Sequence, residues 1–104
     1  MAKIREVVEN YLLNDGIKVG SKGFQNLTRC IEIAIDTRKL NEPVLITEIY
    51  KAVGLITNSK GKAVESTITS AISKSKSETK QCKAYVAYAA MICQRKLDDE
   101  EEMC

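Results

Sequence analysis

The residues of this chain best suited to act on something outside it lie between Ser59 and Lys83. Six lysines (Lys60, Lys62, Lys74, Lys76, Lys80 and Lys83) meet only two acids there, Glu65 and Glu78. Ammonium groups gathered in this way attract a polyanion, although lysines on a merely solvated face are the commoner cause of such a stretch. The opposite charge is collected at residues 98–102, Asp-Asp-Glu-Glu-Glu, which hold five of the fourteen acids. The formal net charge of +2 therefore hides a basic body, in which sixteen bases face the nine remaining acids.

Other chemistries are poorly supplied. Histidine is absent, which removes Ser-His and Cys-His nucleophile pairs, two-His metal sites and imidazole acid-base catalysis together. Cys30, Cys82, Cys93 and Cys104 contain no C-x-x-C pair, so they spell neither a zinc ribbon nor a thioredoxin-like site and read as reduced thiols of a cytosolic protein. Gly20-Ser21-Lys22-Gly23 superficially resembles a phosphate-binding loop. It lacks the preceding strand and the G-x-x-x-x-G-K-[ST] spacing, and reads as a helix-entry turn. With no carboxylate pair clustered outside the acidic run, the expectation is a protein that is not an enzyme, with no catalytic residue, metal or cofactor.

The elements that must position the lysines follow from composition and periodicity. A chain of 104 residues, 44% hydrophobic and with one Pro and five Gly, predicts one globular domain. No apolar run approaches the roughly 18 residues of a membrane span, and the start, Met1 to Glu6, lacks the apolar stretch of a secretion signal. A cytoplasmic protein with no membrane partner is expected.

The apolar spacing is helical throughout, and no sheet is predicted. Ile4, Val7, Val8, Tyr11 and Leu12 form an amphipathic stripe over residues 3–13, closed by the turn sequence Asn14-Asp15-Gly16. A second helix, from about Gly23 to Thr37, places Phe24, Leu27, Ile31, Ala34 and Ile35 on one side, with Cys30 and Ile33 broadening that face. So wide an apolar surface predicts a central helix with others packed around it. The loop Lys39 to Pro43 interrupts the pattern. From Val44, the apolar positions Leu45, Ile46, Ile49, Tyr50, Val53 and Leu55 predict one helix or two short ones ending near Gly54. A polar turn, Thr57 to Lys62, follows, with Asn58 and Ser59 as helix caps.

Next comes a helix over about Lys62–Ser73. At about 100° per residue, Val64, Thr67, Ile68, Ala71 and Ile72 share one face, and Lys62, Ser66, Thr69, Ser70 and Ser73 the other. The last helix, about Lys80 to Leu97, aligns Cys82, Tyr85, Val86, Ala89, Cys93 and Leu97 on its inner stripe, where the cysteines serve as small core residues. The architecture expected is all-α, a compact domain of five to six helices over residues 1–97 with an acidic tail at 98–104.

Two helices joined by a short polar turn, the second polar outside and led by lysines, fit a helix-turn-helix at about 46–73. In that mechanism the second helix enters the major groove, its short side chains meet base edges, and flanking lysines meet phosphates. The candidate DNA-binding residues are Lys60, Lys62, Ala63, Glu65, Ser66, Thr69, Ser70, Ser73, Lys74 and Lys76.

On particular residues the chain resembles a family. Gly16-Ile17 through Lys22-Gly23-Phe24, with Leu27 and Ile31, and then Ile49-Tyr50 to Val64-Glu65, with Ile68 and Ala71-Ile72, are similar to the C-terminal DNA-binding effector domain of the sporulation initiation factor. That factor is the stage-zero response regulator of endospore-forming bacteria. The likeness covers about residues 5–75, with one inserted residue near 38–45. It implies an all-helical bacterial transcription regulator whose helix at about 62–73 reads duplex DNA in promoters of sporulation-type genes, bound as a tandem pair. The departures are informative too. The family carries arginines where this chain has Ala63, Ser66 and Thr69, and a histidine where it has Ser70; only Glu65 is kept. Arginine makes bidentate guanine contacts worth about 1–3 kcal/mol each, which Ser and Thr do not reproduce. A changed base code is therefore expected, with Lys60, Lys62, Lys74 and Lys76 still on phosphates. There is no room for a receiver domain, so a stand-alone regulator, not switched by an attached receiver, is expected.

The final helix does not match the family. Tyr85, Tyr88, Ala89 and Ala90 either pack a partner molecule, or Tyr85 and Ala89 close the core with Tyr88 at the surface. The acidic run is either a solvated end or a screen for the lysine face. Two functions follow: a DNA-binding regulator whose partner is double-stranded DNA, as a homodimer or tandem pair and with no small-molecule substrate, or a protein-interaction module of the same fold that modulates a DNA-binding partner.

Overall fold

Five helices and no strand are found among the described residues: α1 (Ala2–Asn14), α2 (Lys22–Lys39), α3 (Ile46–Thr57), α4 (Gly61–Ser73) and α5 (Cys82–Met103). They come from a computed structural model that describes the backbone of residues 2–39, 45–78 and 81–103, and the side chains of 3–37, 45–78 and 81–99. The Pro43 loop with Leu40 and Val44, the inserted position expected near it, Lys80 and Cys104 lie outside the described residues.

α1 ends where Gly16 turns to φ 84°, a conformation glycine adopts without a Cβ penalty. The Gly16 N–H reaches Leu13 O at 3.0 Å and the Ile17 N–H reaches Leu12 O at 3.0 Å. Ile17 is then buried, the hydrophobic contact that accompanies such a helix end. α2 begins as a capped helix, since Ser21 Oγ accepts the Phe24 N–H at 3.1 Å. The glycine-rich stretch before it is thus a helix-entry turn, as its spacing predicts.

α2 is the central element, packed against α1, α3, α4 and α5. It buries Phe24, Leu27, Cys30, Ile31 and Ile35, and each such side chain taken fully from water stabilises the fold by about 2 kcal/mol. Around it α1 contributes Val8 and Leu12, α3 contributes Ile49, Tyr50 and Val53, and α4 contributes Val64, Ile68 and Ile72. The inner stripe of α5 is Cys82, Tyr85, Val86, Ala89, Cys93 and Leu97, all buried.

Four details depart from the periodicity. α3 is a single helix that continues past Gly54 to Thr57, and Leu55 lies outside the core, 85% exposed. Asn58 is the αL C-cap of α3, a conformation Asn tolerates better than most residues; Ser59 caps nothing, its hydroxyl lying 2.6 Å from Thr57 Oγ1. α5 runs past Leu97 through the acidic stretch to Met103. Gln94 Nε2 donates to Asp98 Oδ1 at 2.9 Å one turn on, and the good helix propensity of Glu carries the helix further. Tyr85, Ala89 and Ala90 are core residues and so present nothing to a partner, whereas Tyr88 is 54% exposed.

The thiols belong to the packing. Cys30, Cys82 and Cys93 are buried and free. Burial, with a smaller contribution from Cys82, pushes the Cys30 thiol up to about 12, and burial, opposed by Lys96, takes Cys93 to about 11. Both stay protonated near neutrality, the weakly nucleophilic form.

Candidate nucleic-acid interface

Two close approaches seat α4. A Cβ on Gly23 would stand 2.6 Å from Thr67 O and 2.5 Å from Ala71 Cβ, so α2 and α4 touch where only hydrogen fits. One turn along, Asn26 Nδ2 donates to Thr67 Oγ1 at 2.7 Å, and that hydroxyl donates onward to Val64 O at 2.7 Å. At the other end Gly54 accepts the Ser59 N–H at 2.7 Å, and a Cβ on Gly54 would stand 2.5 Å from Ser59 O. α3 and α4 are thereby held across the three residues Asn58 to Lys60.

With α4 so fixed, all ten candidate residues are exposed, but they divide among different surroundings. Lys62, Ser66 and Ser70 occupy the outward face, with Ala63 and Lys74 at its edge. Ala63 helps line a groove with Lys22, Gln25, Arg29, Asn58 and Ser59. Ser70 and Lys74 line a second groove, of about 440 Å³, shared with Lys18, Lys22 and Ala71. Lys60 stands at the N-cap of α4 with no side-chain cap.

The remaining candidates are exposed too, but their polar groups are engaged within the domain. Thr69 Oγ1 donates to Glu65 O at 2.9 Å and lies 2.9 Å from Cys82 Sγ. Glu65 and Thr69 thus border α5, with the Thr69 hydroxyl spent on packing. The Ser73 hydroxyl donates to Ser70 O at 2.7 Å. Lys76 donates its N–H to Asp15 O at 2.8 Å, and its stem lies over Gly16, 3.6 Å from where a Cβ would stand.

The structure adds cations that a scan along the chain did not single out. Lys18 and Lys22 line the larger groove and Lys22 and Arg29 the smaller one, so Lys22 sits between the two grooves that flank α4. No acid lines either groove. Gly23 was the available signal, because a glycine opening the central helix marks a close approach that carries its neighbour Lys22 with it.

Among the described residues, no group of three or more Cys, Asp or Glu could hold a metal ion, and no helix is long and apolar enough to cross a membrane. What the coordinates define is a class, an all-helical domain with a basic, acid-poor surface around α4. No protein-family model, curated protein or solved structure matches this chain.

Proposed function

We propose that the chain is a DNA-binding protein, a transcription regulator of the kind the sporulation effector domain represents, with α3 and α4 forming a helix-turn-helix. α4 enters the major groove. Lys62, Ser66 and Ser70 meet base edges, and Lys18, Lys22, Lys60 and Lys74 neutralise phosphates on either side. The observation that carries this reading is the placement of Lys22 between two acid-free grooves flanking a helix whose outward residues are short and polar. Side chains this short leave room for the backbone to approach, so affinity rests on phosphate contacts and base discrimination is modest.

The test is fluorescence anisotropy of a mixed-sequence duplex at several salt concentrations, beside the variant Lys22→Glu/Lys62→Glu/Lys74→Glu. Wild type is expected to bind with a logarithmic salt slope of several units, and the variant to lose at least about a hundredfold in affinity at low salt. Absence of wild-type binding at low salt overturns the reading in favour of the interaction module.

A further inference from the structure

We propose that the outer side of α3 pairs with the same side of a second copy of this chain, the two helices lying antiparallel across a twofold axis at the level of Tyr50. α3 packs on α2 and α4 and buries Ile49, Tyr50 and Val53, yet much of its hydrocarbon stays in water. Leu45, its N-cap residue, is 70% exposed, Leu55 85% and Ile56 63%, three of the six large apolar side chains exposed among the described residues. At about 100° per residue, Leu45, Ala52 and Ile56 fall within about 40° of one another, and Leu55 stands about 60° from Ala52. Ala52 is partly exposed. A scattered apolar residue on a surface needs no explanation, but a concentration of them along one helix marks an interaction surface.

The charges beside this stripe say what covers it. Glu48 and Lys51 are exposed, and neither has an ion-pair partner within the domain among the described residues. Both stand on the flank that Leu55 occupies, Glu48 about 40° and Lys51 about 100° around from Ala52, whereas Leu45 and Ile56 stand on the other side of Ala52. A twofold that lays two helices antiparallel sets each flank against the same flank of the second copy. With the axis at Tyr50, Glu48 meets Lys51 of the second copy on one flank, and Leu45 meets Ile56 of the second copy on the other. Each pair lies within one residue, about 1.5 Å, of level, and each is made twice by symmetry. Ala52 stands level with Glu48 of the second copy, and its small side chain leaves room for the glutamate stem to cross toward the lysine. A parallel pair would instead hold each Glu48 against its own copy near the middle of the face and is disfavoured by like charge. One helix face about 18 Å long falls at the small end of specific interfaces, so the dimer forms and parts with concentration.

Sedimentation equilibrium between micromolar and millimolar protein at low salt tests this, with thermal unfolding as the fold control. Wild type is expected to show a monomer-dimer equilibrium. Glu48→Lys and Lys51→Glu, both at exposed positions, are each expected to weaken it about tenfold, since two ion pairs give way to two like-charge contacts, and the double variant is expected to recover it. In a Cys104→Ser background, Leu45→Cys and Ile56→Cys proteins are expected to cross-link when mixed and not when oxidised alone. A wild-type monomer throughout, a double variant that does not recover, or Ile56→Cys linking to itself would each overturn the pairing. No residue used here is among those proposed to touch DNA, so the anisotropy experiment and this one fail independently.

Discussion

α4 and α5 meet where Thr69 reaches Cys82, yet they treat solvent in opposite ways. α4 buries Val64, Ile68 and Ile72 and turns Lys62, Ser66, Ser70 and Ser73 outward. α5 buries a comparable stripe and still shows Ala84, Ala87, Tyr88 and Met91 on its far side. The first helix has satisfied its hydrocarbon within the domain, and what remains suits water, phosphate and base edges. The second keeps small apolar side chains, a tyrosine and a methionine on its solvent side.

That contrast can be broken at several points. Gly23→Val forces a Cβ and its two methyl groups into the 2.5–2.6 Å approach between α2 and α4. It is expected to lower unfolding stability by about 3 kcal/mol in a denaturant titration and to abolish DNA binding along with α4's seating. Tyr85→Phe loosens the other helix. The Tyr85 hydroxyl donates to the Asp15 carboxylate, and its loss is expected to cost about 2 kcal/mol, read by the same titration.

The Tyr85 bond also has a pH signature. Burial, and then Asp15, hold Tyr85 protonated above the ordinary tyrosine value of 10.0. Above that pH the unfolded chain binds fewer protons than the folded one, so stability falls as pH rises. Wild type is expected to begin losing stability above pH 9.0, the ordinary thiol value from which Cys30 and Cys93 are raised, and to lose it faster once tyrosines join. Tyr85→Phe should flatten the upper part of that fall; an unchanged profile would mean that Tyr11 and Tyr50, whose hydroxyls burial also raises, carry it.

Two neighbouring residues sharpen the comparison at smaller scale. Thr69→Val removes a hydroxyl spent between α4 and α5 and is expected to cost about 1 kcal/mol of stability with duplex affinity unchanged. Ser70→Ala is expected to move stability by less than about 0.5 kcal/mol and to alter discrimination between duplex sequences in competition anisotropy. If Thr69→Val changed discrimination and Ser70→Ala did not, α4 would be meeting DNA along its other edge.

Much of the fold was legible in the residues. Periodicity identified the all-helical architecture, the inner faces of α1, α2, α4 and α5, the central place of α2 and the burial of Cys30, Cys82 and Cys93. Helical phase separates inside from outside, but it does not say which edge of a helix meets a neighbour. Thr69 and Ser70 therefore looked equivalent, and only the packing of Cys82 distinguishes them. The basic stretch was legible as composition, whereas Lys18, Lys22 and Arg29 join it through folding from a segment of ordinary charge. Leu55 is apolar but stands about 200° around α3 from Val53, on the side away from the core, so helical phase itself accounts for its exposure. On α5 the residues left open whether Tyr85, Tyr88 and Ala89 pack a partner or Tyr85 and Ala89 close the core, and the packing buries Tyr85 and Ala89 and leaves Tyr88 at the surface.

Asp15 takes the hydroxyl of Tyr85 on its carboxylate and the N–H of Lys76 on its carbonyl. The partners of this one turn are encoded far downstream, Tyr85 by 70 residues. A chain growing from its N-terminus makes α1 and its turn first and α5 last, so the turn waits with an unanswered carboxylate while α2, α3 and α4 are made. Contacts between such distant positions slow folding and tie it to late events. Folding of this domain is therefore expected to finish only after α5 has been synthesised, as one cooperative closure and not as helices locking in the order they are made.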